Sequence, residues 1–164
     1  MGFMGSGKSS IAAHLSHNNQ TDYLDTDVEI ERKSKLSVSE LFDRFGESHF
    51  RRLELDLAHQ LPSYKAPIIS TGGGFLLQTE VNQLCQSLGP IVYLNTSFLT
   101  IKDRLENDTN RPLARDISQL EALYYSRQSA YESLASWSIN TDNKSIEDIS
   151  QLVWSYYENY SSQL

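Results

Sequence analysis

Residues 2–9 read Gly2-Phe3-Met4-Gly5-Ser6-Gly7-Lys8-Ser9, which satisfies the phosphate-binding pattern G-x-x-x-x-G-K-[ST] at every fixed position. Its glycines let backbone N–H groups turn towards phosphates, Lys8 reaches the β and γ oxygens, and the Ser9 hydroxyl is a ligand for Mg²⁺. Ile11 and Leu15 fall on one helical face of the segment that follows. The loop therefore opens onto a helix N-terminus, whose dipole favours anions. An ordinary Gly/Ser turn is the plainer alternative, but it does not account for that helical context. A P-loop normally follows a buried central strand, and here only Met1 precedes Gly2. The first central strand is thus missing from the chain, and the functional protein is expected to extend upstream by about six to ten residues, one ordinary strand. Without it, the chain is expected to fold poorly or be inactive.

A chain of 164 residues suits one compact domain, 1–164, with a core of its own. No apolar run reaches membrane-spanning length and no basic-then-apolar leader opens the chain, so a cytoplasmic protein with no membrane partner is expected. Cys85 is the sole cysteine, which excludes an internal disulfide and a cysteine-rich metal site. Its neighbours Val81, Leu84 and Leu88 predict a small buried filler. A net charge of -7 and a pI near 5.0 argue against a nucleic-acid surface. Positive groups for an anionic ligand must then be gathered in one cleft.

Extended and helical signals alternate without repeats, the pattern of an α/β sheet. Tyr23-Leu24-Asp25, Pro67-Ile68-Ile69-Ser70-Thr71, Ile91-Val92-Tyr93-Leu94 and Trp137-Ser138-Ile139-Asn140 read as strands. Ser37-Val38-Ser39-Glu40 is a capping box ahead of Leu41, Phe42 and Phe45, and the stripe Leu53, Leu57, Leu61 ends at Pro62. Ser118-Gln119-Leu120-Glu121 repeats the capping signal before a third long helix. Residues 106–112, polar and rich in breakers, read as a mobile surface loop.

Asp25-Thr26-Asp27 places two carboxylates at the carboxyl end of a strand, the edge where ligands bind in open parallel sheets. Alternation along the strand sends both to one side, so one can serve Mg²⁺, directly or through water, while the other reaches a second substrate. The plain alternative is that Asp27 caps a helix beginning at Val28. Thr71-Gly72-Gly73-Gly74 also follows a strand, and a run of exposed N–H groups there is a cradle for a polar ligand as readily as a flexible turn. Arg127 continues the stripe of Leu123 and Tyr131, so it points inward and requires an anion, either a ligand or an internal carboxylate. Arg51 lies one turn from both Glu47 and Glu54, for which a solvated ion-pair ladder is the plain explanation.

Taken in order, the P-loop, Asp25-Thr26-Asp27, Phe50-Arg51-Arg52 with Glu54, Gly72-Gly73-Gly74, Arg104, Arg111-Pro112-Leu113 and Arg127-x-x-x-Tyr131 resemble the shikimate kinase family over nearly the whole chain. The resemblance implies a P-loop NTPase three-layer α/β/α sandwich with a parallel sheet, of the nucleoside-monophosphate-kinase type. It also implies a substrate-binding region near 26–55 and a lid near 106–118. The implied reaction moves the γ-phosphoryl of ATP to the 3-hydroxyl of shikimate, a step towards chorismate and the aromatic amino acids. ATP and Mg²⁺ are the implied cofactors, shikimate is the small-molecule partner, and a monomer is expected.

Carried over, Asp27 resembles the group that holds and deprotonates the attacking hydroxyl, and Asp25 the Mg²⁺ ligand or its outer neighbour, with Ser9 as the direct one. Gly5, Ser6, Gly7, Lys8, Ser9 and Ser10 would bind the nucleotide phosphates. Arg51, Arg127 and the backbone of Gly72, Gly73 and Gly74 resemble a shikimate clamp in which forked guanidinium groups suit a carboxylate. Arg111 resembles a lid arginine catalytic on the phosphates, Arg104 one lying flat against adenine, and Thr141-Asp142-Asn143 the adenine-side loop. Three departures stand out: Lys8-Ser9-Ser10 has Ser where Thr is often last, Arg127-Gln128-Ser129-Ala130-Tyr131 lacks an intervening proline, and the first strand is absent. Two other readings fit parts of the pattern: a small-molecule kinase such as a gluconate kinase, and a relative that binds without turnover.

Overall fold

In the computed structural model, residues 1–106 and 117–163 are described. The strands lie where period and composition predict them: β1 Tyr23–Asp25, β2 Ile68–Ser70, β3 Val92–Asn95 and β4 Trp137–Asn140. All pairing between them is parallel. β1 runs beside β2 with Leu24 opposite Ile69, and β3 beside β4 with Leu94 opposite Ile139. Among the described residues these form two separate two-stranded sheets.

Between the pairs stands Met1. Its N–H group donates to the Val92 carbonyl at 2.7 Å, and its carbonyl accepts from the Leu94 N–H at 2.9 Å. That alternation is a parallel ladder in miniature, with Met1 opposite Tyr93. Beside it, a cavity of about 410 Å³ opens between the starts of β2 and β3, lined by Ile68, Ile69, Ile91, Val92, Leu76 and Trp154 among others.

The helices are α1 Lys8–Asn19, α2 Thr26–Ser34, α3 Val38–Phe45, α4 Glu47–Gln60, α5 Thr79–Leu88, α6 Phe98–Glu106, α7 Ile117–Leu134 and α8 Ile146–Ser161. They sandwich the strands, and the two-residue period of β3 sorts its side chains between layers. Leu94 packs with Ile11 and Leu15 of α1 and Ile149 of α8, with Val92 at the edge of the same cluster. Tyr93 faces the opposite way, against Phe3, Ile101, Leu120, Tyr124 and Tyr131. A further cluster joins Leu24, Ile30, Leu41, Phe50, Leu57 and Phe75, which seats α2, α3 and α4 beside β1.

Local signals account for several boundaries. The Ser37 hydroxyl accepts the Glu40 N–H while the Glu40 carboxylate accepts the Ser37 N–H, so the capping box that starts α3 is closed from both ends. The stripe through Leu57 and Leu61 ends as predicted in a 3-10 turn at Pro62. Where α7 is first described, at Ile117, it is already helical, so Ser118 lies within the helix instead of preceding it. Ser145 and Asp148 form a reciprocal box at the start of α8 instead. Cys85 is half-buried rather than fully enclosed, and burial pushes its thiol up to about 11, which keeps it protonated and unreactive at neutral pH.

Candidate active site

The P-loop wraps the N-terminus of α1 as its spacing requires. Gly7, the residue before the helix, sits at φ 90°, a conformation that a Cβ disfavours, and so delivers the first helical N–H groups to one concave face. That face belongs to a pocket of about 330 Å³ lined by Gly5, Ser6, Gly7, Lys8, Ser9 and Ser10. Arg104 and Leu105 of α6 and Lys144, Ile146 and Ile149 from the start of α8 close its other side. The Lys8 Nζ donates to the Phe3 carbonyl at 2.8 Å, folded across the loop whose phosphates it is expected to meet. The Arg104 guanidinium is exposed at the rim and donates to the Gly5 carbonyl at 3.0 Å.

Asp25 and Asp27 point different ways, Asp25 to the Ser9 hydroxyl and Asp27 to the glycine run, whereas strand alternation predicts both on one side. Asp25, not Asp27, caps the helix, and α2 begins at Thr26 rather than Val28. Asp25 Oδ1 accepts from the N–H groups of Asp27 and Val28, while Oδ2 accepts from the hydroxyls of Ser9 at 2.6 Å and Ser70 at 2.9 Å. The two carboxylates are therefore not strand neighbours on one side. Asp27 belongs to the first turn of a helix, which turns its side chain towards the glycine run.

The Ser9–Asp25 pair fits Mg²⁺. Its donors are all oxygen, as a hard cation requires, and no group of three or more His, Cys, Asp or Glu among the described residues forms a closed protein cage. An ion held by one hydroxyl, the nucleotide phosphates and water matches that sparse donor set. With both Asp25 oxygens already engaged, Asp25 fits the outer shell of such an ion better than direct ligation.

The glycine run is where the remaining residues meet. A methyl group on Gly72 would collide with the Asp27 carboxylate, and one on Gly74 would collide with the Arg51 guanidinium. At Gly73 the same methyl would lie 3.7 Å from Arg127 Nη1 and 3.6 Å from the Gly2 carbonyl oxygen of the P-loop. Three side chains from α2, α4 and α7 thus pack against three successive glycines, and the middle one touches the phosphate loop. The turn itself is pinned by the Gly72 N–H donating to Thr26 Oγ1 at 2.8 Å and by the Tyr131 hydroxyl donating to the Gly73 carbonyl at 2.6 Å.

Charge within this cluster is arranged around Arg51. The ion-pair ladder is present: Arg51 donates to Glu47 Oε1 from Nε at 3.1 Å and from Nη2 at 2.9 Å, and to Glu54 Oε2 from Nη1 at 2.7 Å. Glu54 is 1% exposed, and burial pushes its carboxyl up to about 6 against the opposing pull of Arg51. Gln78 Nε2 donates to the same Oε2 at 2.8 Å. Arg127 is half-buried, and no carboxylate pairs with it among the described residues, so its anion is not supplied internally there.

Other expected site residues are placed less directly. The Thr141 side chain is fully buried and its hydroxyl bonds that of Thr96 at 2.6 Å, so it supports the loop from beneath instead of facing the pocket. Arg111 and most of the 106–118 segment lie outside the described residues. Sequence reasoning missed Gln78, which carries no local signal. It also missed Lys144 and Ile146, which follow directly on the Thr141-Asp142-Asn143 loop that marked the neighbourhood.

The shikimate kinase family model matches residues 4–157. The chain belongs to the shikimate kinase family. It is 38% identical over 150 residues to the shikimate kinase of Bacillus cereus (strain G9842), covering 90% of each. Among solved structures it superposes on the shikimate kinase of Acinetobacter baumannii in complex with shikimate with a TM-score of 0.88 at 31% identity, over 96% of this chain and 90% of that one. The Aquifex aeolicus shikimate kinase follows with a TM-score of 0.82 at 26% identity, over 98% and 95%. The fold is accordingly that of a P-loop α/β kinase, and the activity is ATP- and Mg²⁺-dependent phosphorylation of shikimate. The family shown by this match is shikimate kinase, not gluconate kinase. No helix among the described residues is long and apolar enough to cross a membrane.

Proposed function

We propose that the glycine run Gly72-Gly73-Gly74 is the platform on which shikimate is held for transfer to its 3-hydroxyl. The observation that carries this assignment is the convergence of Asp27, Arg127 and Arg51 on those three glycines, with the P-loop carbonyl of Gly2 against the middle one. Arg51 and Arg127 grip the substrate carboxylate, for which planar forked donors are suited. The Asp27 carboxylate orients the 3-hydroxyl and takes its proton as the oxygen–phosphorus bond forms. The bond from the γ-phosphorus to the bridging oxygen breaks, and ADP leaves with that oxygen's electron pair.

On the nucleotide side, the N–H groups of Gly5 to Ser10 and the Lys8 ammonium neutralise the phosphates, and Arg104 packs on the adenine. Ser9, with Asp25 behind it, would hold Mg²⁺, which would supply charge neutralisation for the nucleotide phosphates. Arg111 adds a second cation from the 106–118 lid, and residues 26–55 form the substrate-binding region of a single domain. The scheme calls for no group from a second subunit, and the reading that goes with it is a monomer working in the cytoplasm.

The test is a coupled ADP-release assay with ATP and shikimate on the wild type and Asp27→Asn. The variant keeps shape and nucleotide affinity but lacks the proton acceptor, so turnover should fall by roughly 10²–10⁴. Near-normal turnover in Asp27→Asn would remove Asp27 from the chemistry.

A further inference from the structure

Arg51 has five N–H donors, and in this structure three of its hydrogen bonds go to two glutamates of its own helix. The two carboxylates are not equivalent. Glu54 is buried, fixed by Gln78, and occupies Nη1. Glu47 has a side chain 65% exposed, begins α4 directly after Gly46, and makes no other hydrogen bond among the described residues. It spans the Nε–Nη2 edge with a single oxygen. That edge is one of the two forks through which a guanidinium can hold a carboxylate by parallel bonds, and Glu54 already encumbers the other.

We infer that Glu47 is an internal competitor for the substrate carboxylate at Arg51, and that displacing it sets the affinity for shikimate. The inference rests on the assignment of Arg51 to the shikimate clamp under Proposed function. With Glu47 and Glu54 both paired to it, Arg51 is the centre of a cluster with an excess negative charge, which repels an arriving anion. When Glu47 swings out to solvent, the fork and the net attraction are restored together. The release is inexpensive, because an exposed pair at i,i+4 is only weakly stabilising. A built-in competitor of this kind also discriminates: only a carboxylate placed well enough to form both parallel bonds, with Arg127 behind it, outcompetes a side chain already tethered to the same helix.

The experiment is calorimetric titration of shikimate, and separately of ATP, into the full chain carrying Glu47→Gln or Glu47→Asp. Glutamine keeps the length and loses the charge, whereas aspartate keeps the charge at the helix N-terminus but is too short to span the edge. Both should bind shikimate roughly two- to fivefold more tightly, the range set by the strength of an exposed ion pair, while ATP affinity does not move. Unchanged or weaker shikimate binding in both variants overturns the inference, since a side chain that merely props Arg51 in place would weaken it. Arg51→Ala with and without Glu47→Gln separates the two levels of the claim. If Arg51→Ala leaves shikimate binding intact, the assignment of Arg51 itself fails. If Arg51→Ala weakens binding and the Glu47→Gln gain persists in its background, Arg51 stands and the competition fails. A gain that vanishes in the Arg51→Ala background supports it.

Discussion

The Tyr131 hydroxyl donates to the Gly73 carbonyl at 2.6 Å, which ties the helix carrying Arg127 to the turn that Arg127 packs against. Burial raises the Tyr131 hydroxyl above its ordinary range, so it remains a donor throughout the working pH. Tyr131→Phe should cost about 1 kcal/mol of stability, the net worth of one such bond. It should also weaken shikimate binding severalfold while sparing ATP. Thermal unfolding and paired titrations check this, and an equal loss for both ligands would mean that Tyr131 supports the whole core, not the glycine turn.

Arg127 lies beside Tyr131 and Gly73 and pairs with no carboxylate among the described residues, so the substrate is the natural source of its counter-charge. Arg127→Ala should reduce shikimate affinity far more than ATP affinity. Arg127→Lys should recover little, because a point charge cannot supply a planar fork. Recovery in the lysine variant would show that charge alone matters at this position.

The legible parts of this protein were those with a period or a fixed spacing. The P-loop declared its own geometry because its glycines and Lys8 are needed at set intervals, and each strand showed as a short segment around an apolar residue, Leu24, Ile69, Leu94 or Ile139. The Arg51 ladder with Glu47 and Glu54 followed from helical spacing alone. What stayed hidden depended on three-dimensional juxtaposition. Nothing in Asp25-Thr26-Asp27 reveals that the helix starts one residue after Asp25, which reassigns the cap from Asp27 and changes the direction of both carboxylates. The Gln78 bond to Glu54 joins residues 24 apart in the chain, and the Thr141 hydroxyl turns inward to a partner on another strand end. Such contacts are fixed by packing between layers, for which a single sequence has no marker.

Asp25 offers a separation of folding from metal chemistry. Its Oδ1 caps α2 and its Oδ2 receives the Ser9 hydroxyl. Asp25→Asn keeps a good capping side chain, so stability should change little, whereas Asp25→Ala should lose about 1 kcal/mol. Both should raise the Mg²⁺ concentration needed for half-maximal turnover, because the charge behind Ser9 is gone. Turnover measured against Mg²⁺ alongside thermal denaturation distinguishes the effects. An unchanged Mg²⁺ requirement in Asp25→Asn would confine Asp25 to the helix cap.

Glu54 should make shikimate binding pH-dependent. Burial, reinforced by the Asp27 charge and opposed by Arg51 and Arg127, lifts its carboxyl from 4.5 to about 6 in the folded protein. The native state therefore takes up a proton as pH falls through about 6, while the unfolded chain waits until about 4.5. The sign follows: this group favours the folded state at low pH and loses that contribution, on the order of 2 kcal/mol, as pH rises from below 4.5 through 6. Glu54 Oε1 is buried and has no hydrogen-bond partner among the described residues, whereas Oε2 accepts from both Arg51 and Gln78. The proton accordingly settles on Oε1, Arg51 stays in place, and only the neutralising charge beside it is lost. Shikimate affinity should then tighten severalfold between pH 7 and pH 5.5, with no matching change for ATP. Glu54→Gln should bind shikimate with an affinity that is flat across the same range. A pH step of equal size in Glu54→Gln would assign the titration to another group, and weakening on acidification would show that the Glu54 charge orients Arg51 instead of masking it.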